Sequence, residues 1–135
     1  MDHAKRIDLI AKLASEPEPQ IVPIEEFFDG NDDLGSIGCN LADHPGMEAF
    51  QSAFRKIAAR DDVVAVYAQI TESDPGFEAW PFADTVHIVG HASVVTLGPL
   101  LKHLQPDEIA SIDGPKLPEA LVRLHKEPVV TVWWD

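Results

Sequence analysis

Two runs rich in β-branched residues, VVAVYAQIT at 63–71 and TVHIVGHA at 85–92, constrain this chain most. Valine, isoleucine and threonine crowd a helix and suit a pleated strand. The link between them, ESDPGFEAWPFAD, carries Pro75, Gly76 and Pro81 and cannot continue either period. Each run borders a segment with helical spacing. Met47, Phe50, Phe54 and Ile57 form one stripe over about 45–60, and Val94, Leu97, Leu101 and Leu104 another over SVVTLGPLLKHL. PVVTVWW closes the chain as a strand, and LGSIGCNL at 34–41 alternates Ile37, Cys39 and Leu41 against Ser36, Gly38 and Asn40. The order is strand, helix, strand, strand, helix, strand. It predicts an α+β, ferredoxin-like fold (split βαβ, βαββαβ) with an antiparallel sheet.

The remaining segments hang on that frame. Residues 3–15 read as an extra N-terminal amphipathic helix with Ile7, Ile10, Leu13 and Ala14 on its apolar side. SEPEPQ then breaks it, because two prolines bar helix continuation. VPIEEFFDGN reads as a short helix between Pro23 and Gly30. ADHPG supplies helix-start chemistry through Asp43 or His44 as cap, with Pro45 in the first turn. Gly98 and Pro99 predict a kink or two pieces in the second long helix. QPDEIASIDGPK reads as loop with one brief strand, and LPEALVRL as a helical turn or two from Pro118. At 135 residues the chain suits a single α+β domain over 1–135, with 1–19 as N-terminal helix and linker and 20–135 as core.

Charge and cysteine usage exclude several functions. The net charge is -13, from 23 acidic and 10 basic residues, which repels phosphate backbones and argues against nucleic acid. It fits solubility, or a basic protein partner drawn in by the field. One cysteine forms no internal disulfide, and the first residues, with Asp2 and Asp8, do not form a secretory signal. No run approaches roughly 18 apolar residues, so no membrane helix is predicted. These features together predict a cytoplasmic protein.

EEFFDGNDDLGSIGCNL, HPG, WPFADTVHIV, LQPDEI and the terminal WWD are carried together. In that combination, over roughly 22–135, the chain resembles a family of small uncharacterised bacterial proteins. The resemblance implies a bacterial cytosolic protein and transfers no catalytic residue.

The residues must then be read on their own chemistry. A calcium loop starting at Asp29 places Asn31 and Asp33 correctly, but Leu34 stands where the loop needs glycine and Asn40 where it needs glutamate. An acidic turn is the better reading. His87 and His91 lie four apart on a strand, about 13 Å, too far to share a zinc ion. No metal and no cofactor is predicted. Cys39, sharing parity with Ile37 and Leu41, reads as a buried, inert thiol. There is no GxSxG, no phosphate-binding glycine loop and no CxxC.

Two functions remain. The first is an acidic binding module with Asp29, Asp32, Asp33, Tyr67, Trp80, His87 and Trp133 as candidate contacts, self-associating as a homodimer and receiving a basic protein partner. The alternative is a small hydrolase- or isomerase-type enzyme pairing His87 with a carboxylate of Asp29–Asp33. Strand parity puts Tyr67, His87, Val89, Val129 and Trp133 on the sheet face away from the helices. Either the helix at 3–15 or a second subunit should cover that face.

Overall fold

The computed structural model describes residues 1–76 and 78–135. Its elements are α1 (His3–Ala14), β1 (Ile21–Pro23), α2 (Ile24–Phe28), α3 (Met47–Ala58), β2 (Val63–Glu72), β3 (Phe82–Gly90), α4 (Val94–Leu101), β4 (Glu108–Ile112), α5 (Glu119–Leu124) and β5 (Val129–Trp133). The five strands form one sheet in the order β1-β2-β3-β5-β4, antiparallel at every pairing. β3 and β4 each run antiparallel to β5, which lies between them, so β3–α4–β4 is a split βαβ unit. The fold is α+β with an open antiparallel sheet, compatible with a ferredoxin-like arrangement.

Hydrophobic periodicity explains the long elements. Phe50, Phe54 and Ile57 of α3 and Leu97 and Leu101 of α4 are buried against Val66, Ala68, Val86, Ile88, Val130 and Val132 of the sheet. Trp134 closes this core. Its ring packs 5.4 Å from Phe50 and its indole N–H donates to the Leu104 carbonyl at 2.8 Å. Pro99 sits inside α4, which ends at Leu101 and tightens into a 3-10 turn over Lys102–Leu104.

Four local expectations are corrected. The stretch 34–41 is not a strand. Asp33 accepts from the Gly35 N–H at 2.9 Å and caps a 3-10 turn at Leu34–Ser36, and only Ile37 reaches the sheet, as a parallel bridge to Ala83. Turn chemistry outcompetes the alternation. Gly38, at φ +64, then turns the chain, so Cys39 is exposed rather than buried. The short helix runs over Ile24–Phe28 with Pro23 at its N-cap and Gly30 just past its end, as expected, and Ile21–Pro23 ahead of it pair with β2 as β1. α3 is capped by neither Asp43 nor His44: its N-cap is Gly46, and His44 Nδ1 accepts from the Gly46 N–H at 2.9 Å.

The fourth correction concerns who covers what. α1 lies in the same core as α2, α3 and α4, through Leu9 and Leu13, while Ile7 is 61% exposed. Its inward stripe is shifted because Arg6 also faces the protein, donating from Nε to the Ala79 carbonyl at 2.7 Å while its stem packs. The far face of the sheet is covered at one end by α5. Leu121, with half-buried Leu117, packs on Val89 and Val129. α1 lies on the other side of the sheet and does not cover that end. Phe77, read as an aromatic of the β2–β3 link, lies outside the described residues.

Candidate functional site

Strand pairing lines up the far face in rows. One row reads Ala65, Val89, Val129 and Ile112, and lies at the end where α5 packs. The next crosses Tyr67, His87, Thr131 and Ala110, and the last Gln69, Thr85, Trp133 and Glu108. The last two rows hold the polar and aromatic side chains of this face, and Tyr67 still borders the cluster under α5.

His87 is the most enclosed polar group of the face, 3% exposed. Gln69 Oε1 lies 2.7 Å from its Nε2 and Thr131 Oγ1 lies 2.8 Å from its Nδ1. With Nε2–H donating to Gln69 and Nδ1 accepting from Thr131, the neutral ring is fully satisfied. Burial pushes its pKa down to about 4, so the ring is uncharged at neutral pH. Among the described residues its side-chain partners are Gln69 and Thr131, and no carboxylate shares a hydrogen bond with it. Tyr67 meets His125 instead, with its hydroxyl 2.7 Å from Nε2 and His125 Nδ1 facing Glu127 at 3.9 Å. Burial first, and then the Glu25 charge, raise the Tyr67 pKa. His91 is exposed beyond the end of β3, where its N–H donates to the Asp62 carbonyl.

The acidic loop is organised around the N-terminal helix and not around His87. Asp29 accepts from Lys5 Nζ at 2.6 Å and Asp32 from the Met1 amine at 2.9 Å. Pairing with that amine lowers the Asp32 pKa. Asp33 accepts from the Gly35 N–H and, through Oδ2, from the Trp80 N–H at 3.0 Å. Asn31, 8% exposed, accepts from the Asp33 N–H and donates to Ser36 Oγ and to the Phe27 carbonyl. The Asp2 N–H donates to the Gly30 carbonyl at 2.9 Å. These carboxylates are turn caps and the seat of α1. The pairing of His87 with a loop carboxylate is therefore not assembled. Among the described residues no three His, Cys, Asp or Glu side chains converge to hold a metal ion.

The tryptophans divide sharply. Trp80 is fully buried, with its indole N–H unpartnered among the described residues. Trp134 is core, whereas Trp133, one residue earlier, is 38% exposed on the far face. Carboxylates crowd that end of the sheet. Glu108 is the cross-strand partner of Trp133, and the Asp107 N–H donates to the Trp133 carbonyl at 2.8 Å. The Asp135 N–H donates to the Asp107 carboxylate, and the Trp134 N–H to the Asp84 carbonyl.

Comparison with known proteins adds membership. The model of the "Uncharacterized protein YfbO family" matches residues 4–132. The chain belongs to that family. The "Uncharacterized protein YfbO" of Escherichia coli (strain K12) is 30% identical over 124 residues, covering 88% of this chain and 84% of the relative. No solved structure matches. The family match begins at residue 4 and so takes in α1, which the resemblance over 22–135 left out. That agrees with the placing of Leu9 and Leu13 in the main core.

Sequence reasoning missed Gln69, Thr131 and His125, the direct partners of His87 and Tyr67, because only register reveals them. It also missed Asp107 and Glu108. Their signal was the brief strand after QPD, whose partner could not be named from the sequence.

Proposed function

We propose that this chain is a cytoplasmic binding module, not an enzyme, which receives a cationic segment of a basic protein at Trp133. The observation that carries the reading is the exposed indole of Trp133, register-paired with Glu108 and flanked by Asp107 and Asp135. An arginine or lysine laid on that ring gains a cation–π contact of about 0.5–1 kcal/mol at an exposed site, and more as water leaves. The surrounding carboxylates add charge-assisted hydrogen bonds. The net charge of -13 speeds encounter with a basic partner. His87 bridges β2 and β5 through Gln69 and Thr131 next to the Trp133 row.

Titrating the protein with a short arginine-rich peptide tests this. Trp80 and Trp134 are buried, so a fluorescence change that is absent from Trp133→Phe reports the exposed ring. The expected result is salt-sensitive binding that Trp133→Ala and Glu108→Lys each weaken by about tenfold or more. Equal binding by the wild type and Trp133→Ala would refute it. The same face supports a second reading, a homodimer, because Val122 and Leu124 of α5 are exposed on that side at 37% and 62%. A light-scattering mass of 14.8 kDa at tens of micromolar would remove that reading.

A further inference from the structure

The opposite side of the molecule has the reverse character. A groove of about 410 Å³ runs between α3 and α4. Its floor is apolar, with Ala53, Ile57, Pro99 and Leu100, and its rim is basic, with Lys56, Arg60 and His103. Asp62 beside the groove pairs with Arg60, and among the described residues no carboxylate lines it. That is unexpected in a chain with more than twice as many acids as bases. Lys56 lies on the last turn of α3, and Arg60 follows the helix end, where the Asp62 carboxylate pairs its guanidinium. Ion pairing accounts for Arg60 but not for Lys56. Among the described residues the paired Lys and Arg side chains are Lys5, Arg6, Lys12, Arg60 and Arg123. Of the other five, Lys56 lines this groove, while Arg55 and Lys102 line neighbouring depressions.

α4 itself, VVTLGPLL, contains no charged residue, yet Val95 is 85% and Leu100 40% exposed. A helix that is apolar all round ordinarily has partners all round.

We propose that the α3–α4 groove docks an acidic amphipathic helix of another protein, in a helix-in-groove mode. The apolar stripe of the incoming helix lies over Val95, Pro99 and Leu100, and carboxylates on its flank meet Lys56 and His103. Charge decides against a second copy of this chain as occupant. Two-fold packing of the groove would bring Lys56 and His103 of both copies into one interface, and among the described residues no carboxylate lines the groove. The groove lies on the helical side of the sheet and is independent of Trp133.

The test uses the full chain and two labelled peptides about four turns long. Both carry leucine at i, i+3, i+4 and i+7. One has glutamate on the flanks, the other lysine at the same positions. Fluorescence anisotropy should show the acidic peptide binding in low salt and the basic peptide failing to bind this groove. Lys56→Glu and Leu100→Glu should each weaken the acidic peptide by about tenfold or more, while Trp133→Ala leaves it unchanged. Both sites are exposed and the variants should fold, which circular dichroism checks; Lys56→Gln, milder, should fall between wild type and Lys56→Glu. Binding that ignores Lys56→Glu and Leu100→Glu, or no binding of the acidic peptide, overturns the proposal. So does a homodimer that Leu100→Glu dissociates, since the groove would then belong to a second copy.

Discussion

The loop at Asp29–Asp33 and the end of the sheet at Trp133 are both rich in carboxylates, and they differ in where those carboxylates are spent. In the loop, Asp29, Asp32 and Asp33 face Lys5, the Met1 amine and two backbone N–H groups. At the sheet end, Glu108 stands beside an exposed indole and, among the described residues, has no ion-pair partner. Acidic density alone therefore does not mark a site. A carboxylate becomes available for binding when the fold leaves it without a partner, and only the three-dimensional arrangement decides that.

The WW dipeptide gives the largest contrast. Trp134→Ala should lose about 3–5 kcal/mol of stability, because a fully packed ring and its bond to Leu104 disappear. Trp133→Ala should stay within about 0.5 kcal/mol of wild type. Chemical denaturation of the two variants measures both. Equal losses would mean that Trp133 is core as well and no platform.

Acid should come next. His87 has an unfolded pKa near 6.5 and a folded pKa of about 4. Above 6.5 both states are neutral and stability is complete. As pH falls from 6.5 towards 4, the unfolded chain takes the proton first, so stability falls, by about 3 kcal/mol in all. His87→Gln should flatten that slope; an unchanged slope in denaturation curves across this window would assign the effect to other groups. The lowered pKa values of Asp32 and Asp62 act in the same direction at lower pH, since their native ionised forms are lost as pH falls through them.

Smaller effects separate the two acidic regions directly. Asp33→Ala removes acceptors from the Gly35 and Trp80 N–H groups and should cost about 1–3 kcal/mol. Glu108→Lys should change stability by less than about 0.5 kcal/mol while weakening the cationic peptide. If thermal melts rank these two the other way, the distinction between structural and available carboxylates fails.

Much of the fold was legible because it is written locally. The β-branched runs at 63–71 and 85–92 are β2 and most of β3, the Phe50–Phe54–Ile57 stripe is the buried side of α3, and Pro118 does open a short helix. The terminal tryptophans point to opposite faces, as period 2 demands. The stretch 34–41 misled because alternation over a few residues is weak beside an Asp33 cap and a Gly38 turn. Of the candidate site, parity placed Tyr67, His87 and Trp133 on one face. It could not show that α5 would cover Val89 and Val129, that Trp80 would be buried, or that the loop aspartates would be taken up by α1. The sequence by itself determined which segments alternate with period 2 and which with 3.6, and which side of each is apolar. Only the tertiary structure decided which element covers which face and which charges remain unpaired, because those depend on contacts between residues far apart in the chain, and periodicity carries no information about distance in space.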